Sequence, residues 1–248
     1  MRGVLALILL LATASVADAK PRHHHRKHRA HHGSSRFETP KDAATLPAVR
    51  YGALAPAECL AELDARQIPY TAETARGVAA PVRLTGPLHG VTFGAQVRDA
   101  DRATTPYDIA DCALVLALDD FAAQLETHGI VRVVHYSMYR PPPKSWPDDK
   151  IGAQHIGAMS IDAARFEKAD GTALEVLKSF HGHIGARTCG DGAGPHPATP
   201  PSKELRQILC DAVAAHLFNV VLTPNFNRPH RNHFHMEVMH GANWFLVH

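Results

Sequence analysis

Apolar residues recur at helical spacing over residues 108–127, where Ile109, Leu114, Leu118, Phe121 and Leu125 share one side of the chain. Asp108 is a candidate cap for this helix and Gly129 its stop. A second stripe, Leu205, Ile208, Leu209 and Val213, predicts a helix over about 202–216 with Ser202 as cap. "PAECLAELDARQ" (56–67) opens on Pro and carries Leu60 and Leu63, which predicts a shorter helix. "IVRVVHYS" (130–137) and "NVVLT" (219–223) are β-branched runs that read as core strands. "PVRLTGPLHGVTFGAQV" (81–97) is broken by Gly and Pro and predicts a hairpin or short strands. "RPPPKSWPDD" reads as a loop, in which Trp146 packs. Tyr136 and Tyr139 straddle the end of the strand before it, so only one of them can face a site there.

Two long helices separated by strands, without regular βαβ alternation, predict an α+β domain. The expected architecture is a single domain with a small antiparallel sheet flanked by two main helices. Residues 1–19 lie outside it. Arg2, an apolar run from Val4 to Ala12 and the Ala17-Asp18-Ala19 site read as a secretory signal cut before Lys20, too short to span a bilayer. "KPRHHHRKHRAHHGSSR" (20–36) has nothing apolar to bury and reads as a disordered arm. Residues 37–56 are Pro- and Ala-rich. Residues 20–56 are therefore assigned to arm and linker, and 57–248 to the folded domain.

The net charge is +2 with 19 His. Without the arm the balance is near neutral or acidic, which argues against nucleic-acid binding. Four cysteines behind an export signal point to two disulfides. Of three possible connectivities, Cys59–Cys112 with Cys189–Cys210 is the expectation, because each pair lies in one half of the chain. Oligomeric state is not legible.

"PHRNHFHMEV" (229–238) holds His230, His233 and His235. Its "HFHMEV" alternates polar and apolar with period two, so in a strand His233, His235 and Glu237 share one face while Phe234, Met236 and Val238 enter the core. A catalytic zinc site takes about three protein ligands and leaves a position open. Upstream, "AQHIGAMSIDAARF" supplies His155 and Asp162, which a strand over 159–163 and a tight turn would bring together. "FHGHIG" holds a second H-x-H, His181 and His183, but the flanking glycines mark it as loop. His128, His135, His216, His240 and His248 read as surface or core residues.

H-x6-D followed by H-x-H resembles the zinc site of the superfamily of D-alanyl-D-alanine carboxypeptidases, lysostaphin-type peptidases and murein endopeptidases. More closely, "CL..L" at Cys59, "YSMYR", "HIGAMSIDAARF", "DGTALEV" and "LTPNFNRPHRNHFHMEV" resemble the bacterial extensin-like C-terminal domain family over about 57–240. The resemblance implies one Zn2+ in a cleft on the sheet, held by His155, Asp162 and His235. It implies His233 or His230 as general base, Arg140 as a substrate-binding cation, and Glu237 or a backbone carbonyl orienting a ligand imidazole. The implied function is hydrolysis of peptidoglycan amide bonds at a periplasmic or cell-envelope location. Two other readings stay open: a non-catalytic wall-binding protein of the same fold, and a periplasmic metal-binding protein built around the arm. The chain departs from the family's usual Ser-Glu-His, which is here Ala153-Gln154-His155. Ala158 and Ser160 stand where the family has Gly and Ala, and Tyr139 stands where it has Cys.

Overall fold

The computed structural model describes residues 36–248. The expected signal segment and the basic tract up to residue 35 lie outside the described residues. In chain order the elements are β1 (Arg36–Glu38), α1 (Pro47–Ala53), α2 (Pro56–Ala65), β2 (Tyr70–Ala72), β3 (Pro81–Leu84), β4 (Thr92–Ala95) and β5 (Ile109–Asp111). Then come α3 (Cys112–Thr127), β6 (Ile130–His135), β7 (Ser160–Lys168), β8 (Ala173–Glu175), α4 (Val176–Ser179), α5 (Pro200–Ala214), β9 (Val220–Leu222), β10 (Phe234–Glu237) and β11 (Phe245–Val247).

The architecture is α+β, but the sheet is neither small nor wholly antiparallel. Eight strands run in the order β1-β11-β9-β10-β7-β6-β4, with β8 paired to β7. The β4–β6 and β9–β11 pairs are parallel. Several strands are only three residues long, too short for alternation to reveal them. A separate antiparallel sheet holds β2, β3 and β5. The stretch 81–97 thus forms two short strands, β3 and β4, which do not pair with each other because they belong to different sheets.

Helix α3 is apolar on almost every side, and such a helix must be buried. Every residue from Cys112 to Asp119 is buried, with α1, α2 and α5 packed about the helix and β6 against it. It starts at Cys112, later than periodicity suggests. Residues 109–111 pair with β3 instead, and extended pairing excludes helical geometry. Asp111, not Asp108, is the cap, accepting from the Ala113 amide at 3.0 Å. Asp108 instead accepts from the Ala95 amide at 2.7 Å. Likewise Thr199, not Ser202, caps α5, its hydroxyl accepting from the Ser202 amide at 3.3 Å.

The segment 37–56, expected as linker, carries β1 and α1. Seven residues of α1 are too few for a stable helix alone. Tertiary contact holds it: the buried Tyr51 hydroxyl donates to Asp120, which Arg66 also reaches at 2.9 Å. Disulfides Cys59–Cys112 and Cys189–Cys210 form as expected. In the loop-entropy picture, closures of 53 and 21 residues stabilise by about 3–4 kcal/mol each.

One face of the sheet meets α3 through an aromatic cluster. Phe166 lies edge-on to Phe121 at 6.4 Å and 6.0 Å from Phe234. Phe121 also meets Phe218 edge-on at 5.7 Å. The sheet residues Ile161, Ala163 and Met236 are buried in the same core. Phe121→Ala removes the centre of this cluster and should cost about 3–5 kcal/mol of unfolding free energy. Urea denaturation checks it against Val131→Ala, an exposed strand position that should change by less than about 0.5 kcal/mol.

Candidate metal centre

Antiparallel pairing of β10 with β7 sets His235 opposite Asp162 and Glu237 opposite Ser160. Residues opposite each other on paired strands share a face, so these four stand together on the side away from the aromatic cluster. His155 arrives from the connection between β6 and β7. Its carbonyl accepts from the Arg140 amide at 2.8 Å, and its Nδ1 lies 3.1 Å from the Met138 carbonyl. Around it Gly152 and Gly157 cross backbone to backbone, and a Cβ on Gly157 would meet the Gly152 oxygen at 2.4 Å. Only glycine permits that crossing. Gln154 and Ala158 both hold positive φ, 51° and 52°, a conformation that costs L-residues energy and marks a constrained loop. Ala158 sits in this left-handed geometry at the position where the resembled family carries Gly.

The side chains converge on one carboxylate. Asp162 Oδ1 lies 3.1 Å from His155 Nε2, 2.9 Å from His235 Nδ1 and 3.3 Å from His233 Nε2. Arg140 Nη2 pairs with the other oxygen, Oδ2, and Arg140 Nε donates to the Ser137 hydroxyl at 2.9 Å. The core of the cluster is dry: His155, Asp162 and His235 are 8%, 2% and 5% exposed. Arg140, about half exposed, marks the side that meets solvent.

Neighbours decide which ring nitrogens carry protons. The Met138 carbonyl can only accept, so His155 Nδ1 carries a proton, and Nε2 either donates to Asp162 from the imidazolium or, in the neutral ring, turns a lone pair toward the place a cation would take. His233 Nδ1 faces Asn232 Oδ1 at 3.0 Å, while Asn232 Nδ2 donates to the Tyr136 hydroxyl at 2.9 Å. That orientation leaves His233 Nε2 bare and aimed at the same carboxylate oxygen. His235 Nε2 stands 3.7 Å from Glu237 Oε2, a buried acid that can hold its proton and free Nδ1. A carboxylate oxygen can only accept, so without an ion these contacts hold only where the facing ring nitrogen carries a proton, and a bound cation would take the place of those protons.

The donor set fits a metal ion. His155, Asp162 and His235 offer two imidazole nitrogens and a carboxylate oxygen, all within 4.8 Å of one another. Donors bound at about 2.1 Å to one tetrahedral ion stand about 3.4 Å apart, so little movement is needed. Borderline nitrogen donors with one oxygen suit a transition-series divalent cation better than calcium.

Titration follows the same geometry. Burial alone would raise the Asp162 carboxyl, but hydrogen bonds to His155 and His235 override it and hold the group well below the carboxylate range. Burial would lower His235, yet its contacts with Asp162 and Glu237 raise it to about 9. Burial pushes His233 down to about 4, and burial with the nearby His235 also lowers His230.

The sequence-predicted residues are thus largely assembled. His155, Asp162, His235 and His233 meet at one atom, with Glu237 behind His235. His230 stands outside, its Nδ1 held by Asn227 Oδ1 at 2.7 Å and its ring 5.2 Å from that of His233. Arg140 is not simply a free substrate cation, because it braces Asp162. Tyr136 faces the site while Tyr139 turns away, its hydroxyl donating to the Arg76 carbonyl at 3.0 Å. Trp146 packs beneath Lys150, whose ammonium lies 4.3 Å over its ring. His181 and His183 lie in a loop, as expected, outside the cluster. Asn232 and Ser137 were not anticipated; the Met138 carbonyl is a backbone carbonyl beside a ligand imidazole, a kind of contact the resemblance implied without naming the residue. Asn232 lies beside His233 in "RNHFH", where only adjacency could have signalled it.

The family described as extensin-like protein C-terminus matches residues 57–246. The chain belongs to that family. The match takes in every residue of the cluster and both disulfides of this extensin-like domain. No curated protein and no solved structure matches the chain.

The pKa directions give a signed prediction for the metal-free extensin-like protein. From pH 4 to 6.5 the unfolded state binds the His233 proton that the folded state refuses, so stability rises with pH. From 6.5 to 9 the folded state keeps the His235 proton that the unfolded state has lost, so stability falls. Thermal melts should peak near pH 6.5, with about 1–3 kcal/mol lost along each limb. Saturation with a divalent metal should flatten the alkaline limb, because metal displaces the His235 proton. Calorimetry at pH 7 in buffers of different ionisation enthalpy should then show about one proton released per metal bound.

Proposed function

We propose that the protein is an exported zinc-dependent hydrolase of peptidoglycan peptide bonds, using water as nucleophile. The observation that carries this reading is His233 Nε2, 3.3 Å from the Asp162 oxygen that His155 and His235 also contact. It joins a metal-ligand set of two imidazoles and a carboxylate to a third imidazole able to accept a proton. The arrangement agrees with the resemblance of H-x6-D and H-x-H to the D-alanyl-D-alanine carboxypeptidase and murein endopeptidase superfamily. Two disulfides fit an oxidising compartment, and no helix among the described residues is long and apolar enough to cross a membrane.

In this reading His155, Asp162 and His235 hold zinc, with Glu237 and the Met138 carbonyl fixing the two rings. When bound, the ion supplies Lewis acidity and makes water acidic near neutral pH. His233, kept neutral by burial and oriented through Asn232 and Tyr136, accepts the water's proton and returns it to the leaving amine. Arg140, anchored by Asp162 and Ser137 but half exposed, presents its remaining N–H groups to a substrate carbonyl or carboxylate. His230, at the rim, lines the approach.

Purified protein incubated with peptidoglycan should release new amine and carboxyl termini, and a chelator should stop it. His233→Ala should retain metal and lose about 10²–10⁴-fold in kcat. His155→Ala should lose both metal and activity. Binding to peptidoglycan without metal-dependent release contradicts the enzyme and supports a wall-binding role.

A further inference from the structure

Strand β7 has β6 along one edge, so β10 and β8 share the other, β10 against residues 160–163 and β8 against 165–167. Helix α4 and the loop after it therefore begin beside the turn that delivers His233. A groove of about 330 Å3 lies there, lined by Leu177, Phe180, His181, Ile184, Pro224 and Arg231 among others. The buried Val176 and Phe180 give it an apolar floor.

Leu177 and Ile184 are the most exposed large aliphatic side chains among the described residues, at 59% and 62%, and both line this groove. Apolar surface gathered in one concave place marks a binding surface. The wall that carries Ile184 is pinned. Buried Asn225 accepts from the His183 amide through Oδ1 at 3.0 Å and from the Gly185 amide through its carbonyl at 2.7 Å. A Cβ on Gly182 would meet that Oδ1 at 2.1 Å and the Phe180 ring at 2.7 Å, so only glycine lets the loop sit this close. The loop is held with Ile184 exposed instead of collapsed over the groove.

Arg231 supplies the polar element. It is exposed, donates to the Arg228 carbonyl at 3.2 Å, and pairs with no acidic side chain among the described residues. None of the described residues lining the groove is acidic, and Glu175 beside it already pairs with Lys178 at 2.9 Å. An uncompensated guanidinium next to aliphatic walls is complementary to a carboxylate next to an aliphatic side chain. The C-terminal residue of a peptide carries both on one carbon.

We propose that this groove binds the C-terminal aliphatic residue of a peptide, with the α-carboxylate on Arg231 and the side chain between Leu177 and Ile184. Its part in substrate selection rests on the hydrolase reading, in which the bound terminus leads the rest of the same peptide to the metal centre. Two residues separate Arg231 from His233, a span of at most about 7 Å, so a few extended peptide residues reach from groove to metal.

Fluorescence anisotropy tests it, using the purified protein in chelator, so that the probe stays whole, and an N-terminally labelled peptide ending in Ala-Ala-Leu. Binding should be saturable. Amidating the terminus and Arg231→Met should each weaken it about tenfold, and the two together no further, because both remove the same contact. Ending the peptide in Gly, or Leu177→Ser with Ile184→Ser, should weaken it roughly threefold to tenfold. No saturable binding, equal affinity for the amidated peptide, or undiminished affinity in Arg231→Met overturns the proposal. An amidated peptide with an internal Asp that binds as tightly also overturns it, in favour of an acidic side chain. The expected binding pattern without metal-dependent release from peptidoglycan supports the groove and counts against the hydrolase reading alone; release without such binding does the reverse.

Discussion

The pairing of β7 with β10 sets Asp162 opposite His235, and it cannot slip by one residue. A slip would turn Phe234 and Met236 out of the core and bury the imidazole among aromatic rings. Hydrophobic burial on one face of the sheet therefore fixes the chemistry on the other. Phe166, Phe234 and Met236 lock the register against α3. Ser160, Asp162, His235 and Glu237 inherit their positions from it. The third ligand comes from a loop and needs a different device. Crossing glycines at 152 and 157, with two left-handed residues between and beside them, hold His155 over the strand pair.

The resulting cluster concentrates a cost that has to be offset. Asp162 is buried and ionised, with three imidazoles on one oxygen and a guanidinium on the other. Such a group is stable only if every partner stays in place. Each partner is itself held: His155 by Met138, His233 by Asn232, Arg140 by Ser137, and His235 by Glu237. Without metal, a proton on His235 does part of the neutralising. The site exchanges one cation for another, which ties its occupancy to pH.

Local pattern made part of this legible. Period-two alternation in "HFHMEV" placed His235 and Glu237 on one face, and the H-x6-D spacing found the partners. The stripe Leu114, Leu118, Phe121 and Leu125 identified the central helix, but not its start, because pairing of residues 109–111 with β3 is a long-range event. Helix α1 hid in a Pro- and Ala-rich stretch for the same reason, since Tyr51 stabilises it through Asp120, 69 residues away. The eight-stranded sheet was underestimated because strands of three residues carry no readable period. Arg140 was recognised as a site cation, yet its pairing with Asp162 depends on how two chain segments meet. The groove at Arg231 was invisible to pattern altogether, because its walls come from three separate stretches of chain.

The central claim is that this extensin-like domain holds one divalent ion between two strands and a loop. Metal content per chain tests it most directly, measured by mass spectrometry after dialysis on protein lacking residues 20–35, so that the histidine-rich arm contributes nothing. The account predicts one equivalent, falling to none in Asp162→Ala while the fold persists by circular dichroism. No retained metal in the parent, or an equal amount in both proteins, would contradict it.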